Sequence, residues 1–387
     1  MKYDFDKITD RKNTNSIKYD FAKERGKPDD VLPLWVADMD FPTPPQVLAD
    51  IQKTVSHGIF GYTEVKDDYY NAVSGWFKDR FDYCITREEI VKTPGIVFAL
   101  AMAVRAYTNP GDSVMVQTPV YYPFFNIISD NGRELVKNPL VYNEGKYHIN
   151  IEDFERKVKE HNVKLFILCS PHNPVSRVWT RKELETINEI CEQYGIIIIS
   201  DEIHCDFIYT GHTHTVFGCI NEDAIICTAP SKTFNLAGLQ VSNLFIKNAE
   251  LRRKLEQEIR RSGFSQLNTP GLTACKSAYR HGGEWLNQLM SYLAGNINLV
   301  KNFLKEKLPK IKLIEPEGTY LLWLDFQELG LSQNELDNLI TQKAKLWLSS
   351  GTIFGEEGTG FQRINIACPR SVLETALVRL EKAVLSY

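Results

Sequence analysis

Five short, continuous apolar runs constrain this chain more than any other feature: residues 113–117 (SVMVQ), 164–169 (KLFILC), 195–200 (GIIIIS), 224–227 (AIIC) and 242–246 (SNLFI). None shows the alternation of a strand with one wet face, so each is expected to be covered on both sides. Between them lie amphipathic stretches. Residues 181–194 (RKELETINEICEQY) have helical spacing, with Thr180 as N-cap and Glu183 completing a capping box. Strand–helix alternation of this kind predicts an α/β fold with a largely parallel sheet flanked by helices.

The pattern changes after about residue 250. Long helices are predicted over 251–262 and 283–308, a strand over 319–326 (TYLLWLDF), and further helices near 333–344 and 371–386. That is α+β in character. At the other end, residues 1–30 are polar and read as an extended arm. Phe41 is followed by three prolines within 42–45, a rigid hinge-like turn, before helical periodicity resumes in QVLADIQKTV. A length of 387 residues predicts more than one core. The expected division is residues 1–45 as N-terminal arm and part of a small domain, 46–285 as a large domain, and 286–387 as the C-terminal small domain.

Charge narrows the partners. Lys+Arg 45 against Asp+Glu 49 gives −4, which offers no basic excess for nucleic acid or an anionic membrane. The longest strictly apolar run, residues 96–104, is nine residues, whereas a membrane-spanning helix needs about 20. The start, MKYDFDKITDRKN, has no apolar stretch of the secretory kind. Eight cysteines include no C-x-x-C pair, which fits small buried hydrophobes or isolated thiols in a reducing, cytoplasmic setting.

Ligands of open parallel sheets collect at the carboxyl ends of the strands. After KLFILC comes Ser170-Pro-His-Asn173-Pro; after GIIIIS, Asp201-Glu-Ile-His204; after AIICTA, Pro230-Ser231-Lys232-Thr-Phe234. An amide, a carboxylate and a lysine are thus expected to converge. Taken singly, Asp201 reads as a cap or internal ion pair and Lys232 as a surface residue. Yet a carboxylate behind four isoleucines needs a cation or strong donor, and a desolvated lysine has its pKa lowered, which activates the amine for Schiff-base chemistry. Gly95 precedes the apolar helix FALAMAVRAY, so the first helical amides offer a phosphate site. Tyr121 and Tyr122 are ordinary core aromatics, or plates for a planar ring. Together these are the parts required by pyridoxal 5′-phosphate.

The motifs PHNP (171–174), SDEIH (200–204), SKTFNLAGLQ (231–240) and RINIACPR (363–370) resemble, in this order and over nearly the whole chain, the fold-type I pyridoxal-phosphate enzymes of the class I/II aminotransferase superfamily. LPLWVADMDFPTPP (32–45) and GYTEV (61–65) are most similar to its MalY/PatB-type cystathionine β-lyases, or C–S lyases. The resemblance implies a mostly parallel, seven-stranded-type sheet in a large α/β domain and a smaller α+β domain. It makes Lys232 the covalent anchor and proton carrier and places Asp201 at the ring nitrogen. Asn173 and His204 are assigned to the ring oxygen and Tyr121 to the ring face. The amides of Gly95, Ile96 and Val97 with Ser231 are expected near the phosphate. Tyr62 is expected at the phosphate of a partner subunit, hence a homodimer, and Arg363 on the substrate carboxylate. Two positions depart from the common aminotransferase pattern: Gln240 stands where an arginine meets the phosphate, and His204 where a tyrosine is usual.

The expected activity is a carbon–sulfur β-lyase yielding thiol, pyruvate and ammonia, with Trp35, Tyr62 and Tyr121 walling the side-chain pocket. An aminotransferase is the alternative, and a regulatory binding protein that keeps the fold is a third reading. His204, Cys205, His212, His214 and Cys219 match no structural zinc spacing, so no metal is expected.

Overall fold

The computed structural model describes residues 2–387. Seven strands form the main sheet: β1 (Ile90–Thr93), β2 (Ser113–Thr118), β3 (Glu134–Pro139), β4 (Leu165–Cys169), β5 (Ile197–Asp201), β6 (Ile225–Thr228) and β7 (Ser242–Phe245). Their order is β1-β7-β6-β5-β4-β2-β3. Neighbours are parallel except at β7, which runs antiparallel to both β1 and β6. One antiparallel strand fits a sheet expected to be largely, not wholly, parallel. The Lys232 turn lies in the connection between β6 and the antiparallel β7.

The apolar runs are explained by two cores, one on each face. In β4, Leu165, Ile167 and Cys169 enter one core, while Phe166 and Leu168 enter the other. Both faces are dry, so the strand is apolar at every position. Helices supply the cover: α1 (Pro45–Ser56), α2 (Asp67–Phe81), α3 (Ile96–Tyr107), α4 (Arg181–Gln193), α5 (Ala249–Arg261) and α6 (Thr269–His281). The capping box of α4 is present. Thr180 Oγ1 accepts from the Glu183 N–H (3.2 Å), and Glu183 Oε2 accepts from the Thr180 N–H (2.8 Å).

Beyond α6 come the long helix α7 (Gly283–Lys307) and a second, antiparallel sheet. Its strands are β8 (Lys312–Leu313), β9 (Leu321–Asp325), β10 (Ser349–Ser350) and β11 (Phe361–Asn365), in the order β8-β9-β11-β10. The C-terminal helix α8 spans Arg370–Leu385. The helix expected near 333–344 is shorter: its α part is Gln333–Asn338, and Leu339–Lys343 forms a π-helical turn.

The N-terminal segment is held by a separate two-stranded pairing and by the second sheet's Asn365. Leu32–Pro33 pairs in parallel with Leu346–Trp347, and the Asn365 side chain donates to the carbonyls of Val36 and Asp38, both at 2.6 Å. Residues 2–30 contain neither an α-helix nor a strand, but they are no loose arm, because the buried Lys18 Nζ lies 2.9 Å from Asp40. This places residues 35–38 against the carboxyl ends of the main sheet. No helix among the described residues is long and apolar enough to cross a membrane.

Candidate active site

A cavity of about 510 Å³ opens where the main sheet's carboxyl ends meet the N-terminal segment and the second sheet. That volume is in the range of small-molecule sites, roughly 300–1,000 Å³. Four ionic side chains line it: Asp201, Lys232, Arg363 and Arg25. Asn173, His204, Tyr121, Ser231, Trp35, Gly95, Ile96 and Val97 also line it, so eleven of the twelve expected site residues converge. The exception is Tyr62. It is 99% exposed, with Ile59 and Phe60 exposed beside it, and it does not contribute to this cavity.

Asp201 ends β5 and pairs across the sheet with Cys169 and Cys227. Its carboxylate is buried and accepts one N–H, from Ile203 at 3.2 Å. Burial pushes its pKa up to about 7, against the opposing pull of the Ile203 N–H and the Lys232 charge. Lys232 sits in the single helical turn Pro230–Thr233 after β6. Its Nζ donates to the Ala37 carbonyl at 2.7 Å. Burial lowers the amine to about 8, with Asp38 opposing, Arg363 adding to the drop and Asp201 opposing.

Arg363 lies mid-strand in β11, with its side chain buried. Its guanidinium donates to Asn173 Oδ1 (2.8 Å), the Trp35 carbonyl (2.9 Å) and Ser349 Oγ (3.2 Å). Its Nε has no partner, and no carboxylate among the described residues pairs with it. Burial depresses it to about 10. A buried cation whose acceptors are all neutral leaves room for an external anion.

Asn173 spends its Oδ1 on Arg363, which leaves its amide nitrogen as the donor for a ligand. His204 is buried with Nδ1 unpartnered. Burial, with Lys232 and Arg363 adding, depresses it well below its usual pKa, so the ring is neutral at pH 7. It meets the ring of Tyr320 edge-on at 5.8 Å. Tyr121 follows the Thr118–Val120 segment at the end of β2, its hydroxyl raised to about 12 by burial, and it stays protonated. Gly95 caps α3 with φ 120°, a backbone angle side-chain-bearing residues rarely adopt. Its N–H donates to Ser242 Oγ at 3.1 Å, so the amides of Ile96 and Val97, rather than that of Gly95, are the uncommitted ones.

Three contributors had no clear sequence signal. Tyr320 donates to the Ala37 carbonyl at 3.0 Å, the same oxygen that receives Lys232. Ser349 holds Arg363, and Asp38 faces Lys232. All three come from segments brought in by the second sheet. The histidine–cysteine crowd disperses: His214 is 2.8 Å from Glu202 in the interior while His204 lines the cavity. No cluster of three metal-ligating side chains occurs among the described residues.

The family described as "Aminotransferase class I and II" matches residues 29–380. The chain belongs to the class I/II aminotransferase family. Among the relatives of this family member is cystathionine beta-lyase PatB of Bacillus subtilis (strain 168). It is 43% identical over 98% of this chain and 99% of its own. The crystal structure of cystalysin from Treponema denticola, which contains pyridoxal 5′-phosphate, superposes with a TM-score of 0.96 at 39% identity. It covers 100% of both chains. The pyridoxal-phosphate-bound C–S lyase from Staphylococcus hominis gives a TM-score of 0.93 at 34% identity, covering 100% of this chain and 99% of that one.

Proposed function

We propose that this chain is a pyridoxal-phosphate-dependent carbon–sulfur β-lyase. It cleaves cystathionine or related cysteine S-conjugates, with water, to a thiol, pyruvate and ammonia. The observation that carries the reading is the set Lys232, Asp201 and Arg363: three ionisable groups around one cavity, each pushed toward neutrality by burial and none in an ion pair. The relatives named as cystathionine β-lyase and C–S lyase support the choice of reaction.

The residues fit the cofactor. Asp201 lacks a strong donor, and a protonated ring nitrogen would supply one, drawing the carboxylate back to its charged form. The Asn173 amide and neutral His204 suit the ring oxygen, and Tyr121 suits the ring face. The amides of Ile96 and Val97 at the start of α3, with Ser231, suit the phosphate. Held by these residues, pyridoxal 5′-phosphate would supply an electron sink for the bond broken at the substrate Cα.

The protein's own part is orientation and proton transfer. Arg363 holds the substrate carboxylate in a two-pronged charged hydrogen bond, fixing which Cα bond faces the sink. Lys232, with an amine lowered to about 8, is partly neutral near pH 7 and takes the Cα proton as general base. Tyr121, raised to about 12, keeps its proton and closes the wall beside Trp35. The leaving thiolate then departs from Cβ.

We further propose a cytoplasmic homodimer in which Tyr62 reaches the partner's phosphate. The exposed Ile59–Tyr62 segment supports this. The division at about residues 45 and 285 is likewise proposed, with residues 1–45 joining the C-terminal part. The pairing of Leu32–Pro33 with Leu346–Trp347 supports that union. Purified holoenzyme should release pyruvate and homocysteine steadily from cystathionine with no keto acid present. Strict dependence on a keto acid would make the protein an aminotransferase. A colourless protein that stays so with added cofactor would make it a binding protein.

A further inference from the structure

Of the four ionic groups lining the cavity, Arg25 has no task in the reaction just described. It lies at the end of the Lys23–Arg25 turn, followed by Gly26 in the left-handed region (φ 66°). Its guanidinium carbon stands 5.2 Å over the Trp35 ring. Trp35 is itself stacked on Trp347, with centroids 4.4 Å apart and planes 12° from parallel. The cation is thus the top layer of a three-part stack built on the Leu346–Trp347 strand that pairs with Leu32–Pro33. A guanidinium lying on a ring face gains from the ring quadrupole and keeps its N–H donors available at its edge.

No carboxylate among the described residues pairs with Arg25. Ile17 and Ile353 line the same cavity and are 55% and 43% exposed. Arg363, in contrast, is buried and donates to the Trp35 carbonyl at 2.9 Å. One tryptophan therefore carries both cations, Arg363 at its backbone and Arg25 on its ring. Both cations line the same cavity, with Trp35 in contact with each.

We propose that Arg25 is a specificity-determining residue that binds a second carboxylate, one carried by the leaving thiol. Resting on the lyase reading, this names the substrate class: cysteine S-conjugates whose sulfur substituent ends in an acid, in preference to simple alkyl conjugates. Arg363 takes the carboxylate on Cα, the thioether arm lies along the Trp35 wall, and Arg25 takes the far acid.

The test uses an isosteric pair, S-(2-carboxyethyl)-L-cysteine and S-(2-carbamoylethyl)-L-cysteine, with wild-type holoenzyme, Arg25→Gln and Arg25→Lys. The readouts are kcat/KM from pyruvate release and equilibrium binding by calorimetry. Wild type should favour the acid over the amide. In Arg25→Gln this preference should fall roughly tenfold, the lower end for a charged hydrogen bond, through KM rather than kcat. Arg25→Lys should recover part of it. An unchanged preference in Arg25→Gln overturns the proposal, as does an equal loss on both compounds. If neither compound yields pyruvate with wild type, the lyase reading fails. The binding ratio then still decides the role of Arg25, and absence of binding by the acid overturns it.

Discussion

Two neighbouring regions of this molecule bury charge and treat it in opposite ways. In the N-terminal segment, Asp40 receives Lys18 at 2.9 Å, Arg11 at 2.8 Å and the Tyr19 hydroxyl at 3.0 Å, while Arg11 also grips Asp38 at 2.7 Å. Every charge there has an opposite within reach. Across the Trp35–Asp38 segment, the buried Asp201 and Arg363 and the half-buried Lys232 are unpaired, and burial drives all three toward their neutral forms. A closed cluster holds a loop in place. An open one is a set of unfilled valences whose cost is recovered only when a ligand arrives. The regions also touch, since Asp38, held by Arg11, is the strongest influence opposing the fall of the Lys232 pKa.

The largest expected effect tests the open side. Lys232→Ala should lower lyase turnover by at least about 10³-fold, as removal of a proton-transfer group does, and abolish the holoprotein's imine absorbance. Wild-type activity in that variant would remove Lys232 from the mechanism. Next comes the closed side. Lys18→Met leaves Asp40 with Arg11 and Tyr19 but without its fully buried cation. It should cost about 3 kcal/mol of stability in denaturant unfolding. A negligible loss would mean that the cluster is no more closed than the cavity.

A third effect separates the regions by pH. Asp201 titrates near 7 in the folded, cofactor-free protein and near 3.8 when unfolded. The folded state holds the proton more tightly, so this stabilising contribution is full below about pH 4, shrinks as pH rises toward 7, and is gone above it. Asp201→Asn cannot ionise. At pH 8 the cofactor-free variant should be more stable than wild type by on the order of 2–3 kcal/mol, and the advantage should vanish at pH 4. Adding pyridoxal 5′-phosphate should reverse the ranking, because the cofactor is proposed to need the carboxylate. A constant gap across pH would show that Asp201 is not held unpaired.

The open site was more legible in the sequence than the closed cluster, for a physical reason. Asp201, Lys232 and Asn173 stand directly behind apolar strands, where a polar residue breaks a pattern. Arg11 and Lys18, which close the cluster on Asp40, sit in a polar stretch, where one more charge is unremarkable. The same contrast explains the fold. Strands with two dry faces announced themselves, but β1 (IVKT) is only four residues and contains a lysine. The edge strand β3 alternates half-buried and buried positions over most of ELVKNP. Helix α2 mixes tyrosine, asparagine and tryptophan, and α6 opens with Thr-Pro-Gly, so neither shows a clean apolar stripe. Direction is likewise absent from periodicity, so the antiparallel run of β7 could not be read from the sequence. Arg25 and Ser349 carried no signal, since their role depends on a second sheet distant in sequence.

The smallest effect bears most directly on the contrast. Arg363 and Lys18 are both buried cations, and a rule that buried charges stabilise would have their removal cost alike. Arg363, however, makes hydrogen bonds only to neutral acceptors and has no carboxylate to strand. Arg363→Gln keeps a donor for Asn173 and relieves a desolvated charge, so unfolding should shift by less than about 1 kcal/mol. The loss should appear in binding instead. KM for the amino-acid substrate should rise roughly 10- to 100-fold, the range of one charged hydrogen bond to a carboxylate, with kcat less affected. A stability loss as large as that of Lys18→Met, with KM unchanged, would place Arg363 among the structural cations and leave the substrate carboxylate without its receptor.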